Sequence, residues 1–168
     1  IPMSSQTLSG ITVLDLTSYI AGPFGASLLG DLGANVIKVE GPSGDMMRNY
    51  PSTLVGESRA YVGVNRNKRG IVIDLKSKDG LEVIRRLIKK SDVIIHNFRP
   101  GVSRRLGLEY EQLIDINPKI IYCGLTGFGE IGPMAGNPGF DQVLQSLTGI
   151  SKAQGALENK PHVVWGSV

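Results

Sequence analysis

Cysteine is almost missing from this sequence. Cys123 is the only one, so no internal disulfide can form and a reducing cytoplasm is the expected compartment. Aromatic residues are scarce as well. One Trp and four Phe are too few to interleave with cations along a strand-binding face, which argues against a nucleic-acid partner. No apolar run approaches the roughly 20 residues that cross a bilayer, so no membrane partner is expected. His96, His162 and Cys123 stand singly, without the spacing of metal ligands, and no metal is expected. The G-x-G-x-x-G fingerprint is absent, with Ala21-Gly22-Pro23-Phe24-Gly25 at the corresponding turn, which disfavours a dinucleotide hydride carrier. The G-x-x-x-x-G-K-S/T loop of nucleoside triphosphate folds is absent too.

What remains is an ordinary soluble composition, 41% apolar and 20% charged over 168 residues, the size of one domain. The net charge is only +3, but its placement is uneven. Cations gather at Arg66, Lys68 and Arg69, and again at Arg99, Arg104 and Arg105. Such clusters are either solvated basic turns or the contact points of a polyanionic ligand such as a nucleotide or coenzyme.

The hydrophobic pattern alternates between short β-branched runs and helical stripes. Residues 11–16, Ile-Thr-Val-Leu-Asp-Leu, predict a buried strand. Phe24, Leu28, Leu29 and Leu32 then share a helical face, with Pro23 in the first turn and Gly33 as the stop. Residues 35–40 predict a second strand. Residues 61–64 and 70–75 alternate like two further strands joined by the basic turn 65–69. Leu81, Ile84, Leu87 and Ile88 mark a half-buried helix over residues 81–90. Strands over 92–97 and 119–124 flank a short helix at 108–116, and Val163, Val164 and Trp165 read as the start of another strand. Strands alternating with helices at short connections predict an α/β fold. Its architecture is a Rossmann-like, doubly wound, mostly parallel sheet flanked by helices.

In such sheets ligands bind beyond the carboxyl ends of the strands. Residues 17–23, 40–48, 97–105 and 126–139 fall there, all of them polar or glycine-bearing loops. His96 and Asp15, inside strands, are expected to be structural, and Cys123 a small core residue. No complete catalytic constellation is present.

At these same loops the sequence resembles the family III CoA-transferases, the group that includes formyl-CoA transferase and carnitine CoA-transferase. The resemblance is carried by Leu8-Ser-Gly-Ile-Thr-Val-Leu-Asp-Leu16, Ala21-Gly-Pro23, Leu32-Gly-Ala-Asn-Val-Ile-Lys-Val-Glu40 and Gly44-Asp45. It continues through Asn65-Arg-Asn-Lys-Arg69, Ile73-Asp-Leu-Lys76, Asn97-Phe-Arg-Pro-Gly101, Arg105-Leu-Gly107, Asn117-Pro118, Gly127-Phe-Gly129, Gly132-Pro133 and Pro138-Gly-Phe-Asp141. The pieces occur in order along nearly the whole chain. Together they cover less than half of a full family member.

The resemblance implies an enzyme that moves CoA between carboxylic acids through aspartyl anhydride and aspartyl thioester intermediates, with CoA as a substrate and no separate cofactor. Residues 1–168 would be its N-terminal CoA-binding α/β domain. The nucleophilic Asp is expected just after Val168, so none of the catalytic residues is placed within the chain and the 168 residues alone are expected to be inactive. Asp141 is a candidate for a supporting role. Ile20 and Ala21 match positions lining the pantetheine and thiol end. Asp74, Leu75 and Lys76 match the segment near the adenosine, Asn97, Phe98 and Arg99 the turn over the nucleotide, and Arg105 a nucleotide-binding arginine. Two departures touch the adenine end: Gly41 replaces a family arginine, and a family lysine is replaced around residues 137–139. The resemblance also implies a homodimer, interlocked in full-length family members. Two alternatives stay open at this point. One is an α-methylacyl-CoA racemase, although Phe140 stands where racemases carry a proton-transferring His. The other is a non-catalytic CoA-binding remnant.

Overall fold

The computed structural model of the chain describes residues 6–53 and 55–154. Five strands form one sheet: β1 (Thr12–Leu16), β2 (Asn35–Glu40), β3 (Lys68–Val72), β4 (Val93–His96) and β5 (Ile121–Gly124). Their order is β3-β2-β1-β4-β5, and every neighbouring pair is parallel. The expected α/β architecture is the one observed. The chain divides into two units, Ile1–Leu125, which holds the sheet, and Thr126–Val168.

Helices α1 (Ala21–Asp31) and α2 (Arg59–Val64) lie within the first crossovers, and α3 (Lys78–Ile88) joins β3 to β4. Two short helices, α4 (Val102–Leu106) and α5 (Tyr110–Leu113), lead into β5. Side chains alternate across the sheet, so the inner strands β2, β1 and β4 feed two cores. Leu14, Leu16 and Ile94 pack with Ile84, Ile88 and Leu113 of α3 and α5. Val13, Val36 and Ile95 pack with Ala26 of α1 on the other face. Pro23 sits in the first turn of α1, where a missing N–H costs nothing. Gly33, at φ +100, follows the last turn and reverses the chain as expected.

Several expectations need correction. Residues 61–64 are not a strand: they belong to α2, because Ser58 caps it by accepting the Tyr61 amide and six residues are too few for periodicity to decide. Consequently β3 starts at Lys68 and its ladder ends at Val72, with the Ile73 amide still donating to Glu40. Cys123 is exposed rather than in the core, because β5 is the outer strand of the described sheet and Ile121 is 62% exposed beside it.

The helix expected over 108–116 is shorter, with α4 preceding it. In the second unit, α6 (Asp141–Leu147) and α7 (Ile150–Gln154) follow a loop in which the backbones of Gly127 and Gly139 touch. The strand expected at Val163–Trp165 lies outside the described residues.

Candidate functional site

The chain moves outward from β1 to β2 and β3, then returns to place β4 on the other side of β1. That reversal falls between β1 and β4, and in such sheets the crevice beyond the carboxyl ends of the strands at this point is the usual ligand position. Residues 17–20 leave β1 and residues 97–101 leave β4. They are joined by one side chain. The Asn97 amide accepts from the Ser18 N–H at 2.9 Å and donates to the Ser18 carbonyl at 2.7 Å.

The rest of the β1 loop is held equally firmly. The Thr17 amide donates to Asp15 Oδ1 at 2.9 Å, and the Thr17 carbonyl accepts from Lys38 Nζ at 2.6 Å. The Tyr19 amide donates to Asp45 Oδ1 at 3.3 Å. Five consecutive backbone polar groups, from the Thr17 N–H to the Tyr19 N–H, are thus held by side chains from four places in the fold. Tyr19 itself has φ +67, a left-handed conformation that costs a non-glycine residue about 1–3 kcal/mol. A Cβ at Gly22 would stand 2.5 Å from Thr17 Cβ, so the loop and the first turn of α1 can meet only with glycine there.

Beneath this loop lies a layer of buried charge. Asp15 pairs with Lys38 in register across β1 and β2, and Lys68 faces Val36 across β2 and β3, so all three point to the α1 face. Lys68 Nζ donates to Asp15 Oδ2 at 2.8 Å, to the Pro23 carbonyl at 2.7 Å and to Asn65 Oδ1 at 3.0 Å. Burial pushes the Lys68 ammonium below the ordinary lysine value, with Asp15 pulling the other way. Lys38 Nζ meets Asp45 Oδ2 at 3.0 Å, both side chains being almost wholly buried. Asp45 in turn gives its N–H to Glu40, and Glu40 takes a bidentate Arg48 and the Tyr61 hydroxyl. Led by the Arg48 bonds, these donors hold the Glu40 carboxyl down at about 2. Sequence reading treated Asp15 as structural and overlooked Lys38. A lysine in the middle of a buried strand was the available signal.

His96 is buried in β4 and engages partners through both ring nitrogens. The Phe98 amide donates to Nδ1, which leaves the ring proton on Nε2, facing the Tyr122 hydroxyl. Burial pushes its pKa below the ordinary value, outweighing the Glu109 carboxylate. A histidine kept neutral in the fold but free to protonate when unfolded makes stability rise with pH. Its contribution is complete above the unfolded value of 6.5 and is lost as pH falls below it. We expect the melting temperature to drop between about pH 7 and 5 and His96→Gln to flatten that segment. An unchanged slope in the variant would show that another group is responsible. The Glu40 contribution occupies a separate window, present above its unfolded 4.5 and lost towards about 2.

The two cation clusters behave differently. Arg66 forks onto Asp31, and Lys68 is consumed by Asp15, so most of the first cluster is internal structure. Among the described residues no carboxylate pairs with Arg99, Arg104 or Arg105, and all three are exposed. Left-handed Gly101 and Gly107 bracket α4, and Ser103 anchors its inner side to Glu109 at 2.7 Å.

The candidate residues therefore separate. Ile20, at the uncapped start of α1, and Ala21 are exposed at the crevice. Asn97 is committed to Ser18, Phe98 stacks on His96 with centroids 5.0 Å apart, and Arg99 and Arg105 lie on the same segment. Asp74, Leu75 and Lys76 are not brought to this point. They follow β3, three strand spacings or roughly 14 Å from β4. There the Asp74 carboxylate accepts the Lys76 amide and Leu75 packs on the core, while Lys76 is exposed. Asp141 opens α6 in the second unit, where it accepts from Gln145.

The profile described as CoA-transferase family III matches residues 8–168. Acetyl-CoA:oxalate CoA-transferase of Acetobacter aceti is 42% identical over 159 residues, covering 94% of this chain and 41% of that protein. Succinyl-CoA:glutarate CoA-transferase of Homo sapiens is 42% identical over 158 residues, covering 93% of this chain and 36% of that one. The crystal structure of a CAIB/BAIF family protein from Brucella suis aligns with a TM-score of 0.90 at 38% identity, over 97% of this chain and 44% of its own. The chain spans about two-fifths of the length of the curated relatives it matches.

Proposed function

Because the chain belongs to CoA-transferase family III, we propose that it supplies the CoA-binding domain of an enzyme moving CoA from an acyl-CoA donor to a carboxylic acid acceptor. The observation that supports this most is the crevice at the strand reversal. A rigidly held loop bearing Ile20 and Ala21 stands on one side, and the segment bearing Arg99 and Arg105, exposed and without a carboxylate partner among the described residues, on the other. CoA carries a 3′-phosphate and a pyrophosphate, and guanidinium groups bind phosphate through paired hydrogen bonds. Arg105 and Arg99 take the nucleotide, and residues 17–21 take the thiol end. Asp74, Leu75 and Lys76, farther along the sheet edge, suit only the distal adenosine of an elongated ligand.

The chemistry proceeds through a carboxylate nucleophile, placed by this proposal beyond Val168. Its oxygen attacks the donor thioester and expels CoA thiolate, giving a mixed anhydride. The thiolate attacks the aspartyl carbonyl of that anhydride and releases the donor acid. The acceptor carboxylate displaces CoA from the aspartyl thioester, and the thiolate then attacks the acceptor carbonyl, restoring the aspartate. No cofactor beyond CoA as substrate is required. The protein is taken as a cytoplasmic homodimer. No helix among the described residues is long and apolar enough to cross a membrane.

The test is to incubate a full-length protein carrying this chain with succinyl-CoA or acetyl-CoA and with oxalate or glutarate, the acids named for its relatives. The expected product is the acceptor's CoA thioester, with free CoA staying low. Deuterium entering the α-carbon of a 2-methylacyl-CoA from D2O, with no new thioester, would point to racemisation instead. Phe140 offers no proton for that reaction. The 168-residue chain alone is expected to give no turnover, and turnover by it would overturn the placement of the nucleophile.

A further inference from the structure

We infer that Lys38 and Asp45 are positioning residues for the thiol end of CoA, acting through the backbone of residues 17–20; this rests on the CoA-transferase reading of the crevice. The two side chains are 2% and 1% exposed and lie 3.0 Å apart, so neither can reach a ligand in bulk water. Their remaining bonds go to backbone. Lys38 Nζ holds the Thr17 carbonyl at 2.6 Å, and Asp45 Oδ1 holds the Tyr19 amide at 3.3 Å. These two groups flank the Ser18 unit that Asn97 grips from the other strand.

A methionine or leucine at position 38 would fill the strand interior without desolvating an ammonium and a carboxylate. Buried ion pairs are weak devices for stability and serve better to fix a geometry. The geometry fixed here is unusual, because Tyr19 is held at φ +67, a conformation that persists only where the surroundings impose it. The residues that follow it, Ile20 and Ala21, start α1 and are exposed at the crevice. Asp45 also accepts the Met47 amide at 3.0 Å, so one carboxylate sets the loops after both β1 and β2. A loop held this way meets its ligand already in shape.

The nucleotide end of CoA is assigned to Arg99 and Arg105, on a different segment. The consequence is a split between the two ends of one ligand. Calorimetry on the full-length protein would compare intact CoA with 3′-phospho-ADP, which has the nucleotide but no pantetheine. The double variant Lys38→Met/Asp45→Leu removes both bonds to the β1 loop and leaves no charge of the pair buried without its partner. It is expected to bind CoA about tenfold more weakly and 3′-phospho-ADP within about twofold of wild type. Equal loss for both ligands, or none for CoA, would overturn the inference while leaving the CoA assignment standing. A wild-type protein that binds neither ligand would overturn that assignment and the inference with it. Should the double variant not fold, Tyr19→Gly against Tyr19→Ala gives the same contrast. Both lack the phenol, but only glycine adopts φ +67 without strain. The glycine variant is expected to keep more CoA affinity than the alanine one, and equal affinities would count against the inference.

Discussion

Arg105→Ala is expected to weaken CoA binding roughly 10- to 100-fold while leaving the fold intact. Arg105 lies in the last turn of α4, exposed, with no carboxylate partner among the described residues. Removing it breaks no ion pair among the described residues. What it removes is a charge-assisted bond to phosphate, worth about 1.5–3 kcal/mol, and each 1.4 kcal/mol is about a tenfold change in affinity. Arg105→Lys should recover only part of the loss, since a point charge replaces a planar fork. Raising the salt concentration should weaken the parent more than the variant, because the lost contact is electrostatic. Arg99→Ala should show a smaller effect in the same direction. The measurement is calorimetric titration of CoA into the full-length protein. An Arg105→Ala protein that folds normally and binds CoA with wild-type affinity would show that the nucleotide site lies elsewhere.

Several parts of this arrangement were legible from the residues. The run Asn-Val-Ile-Lys-Val-Glu defines β2 over the same residues as the structure, because β-branched residues between a glycine stop and Gly41-Pro42 allow little else. The crevice followed from topology alone, since parallel strands put their loops at one end. Other parts were hidden for physical reasons. Residues 59–64 alternate Val62 and Val64 as a strand would, and only the Ser58 cap, a local contact, turns them into a helix. Lys68 and Arg66 looked like one basic turn. They are two residues apart in sequence but opposite in environment, one buried against Asp15 and the other splayed onto Asp31 at the surface. Partner choice between buried charges depends on strand register and loop return, which no local pattern encodes. Asn97 illustrates the same limit. Its position at the carboxyl end of β4 was readable, but its commitment to both backbone groups of Ser18 was not.

That difference between Lys68 and Arg66 sets the largest stability effect. Lys68→Met would leave the Asp15 carboxylate with no exposure to water and only the Thr17 amide and hydroxyl as donors. The Pro23 carbonyl and Asn65 Oδ1 would lose the same ammonium. Removing one partner of a buried pair costs about 3–5 kcal/mol, a large share of the roughly 5–15 kcal/mol that holds a domain folded. The melting temperature should fall by about 10 °C or more. Arg66→Ala, by contrast, breaks a pair whose side chains are 40% and 34% exposed, and should leave the midpoint much closer to wild type. The double variant Asp15→Asn/Lys68→Met removes both charges together and should recover much of the single-variant loss, giving a coupling energy well above that of an independent pair. Denaturant midpoints of wild type, Lys68→Met, Asp15→Asn, Arg66→Ala and the double variant, in one buffer, measure this. If Lys68→Met proved as mild as Arg66→Ala, the Asp15–Lys68 pair would not be desolvated, and the buried charge layer would not be what holds the start of α1 against β1.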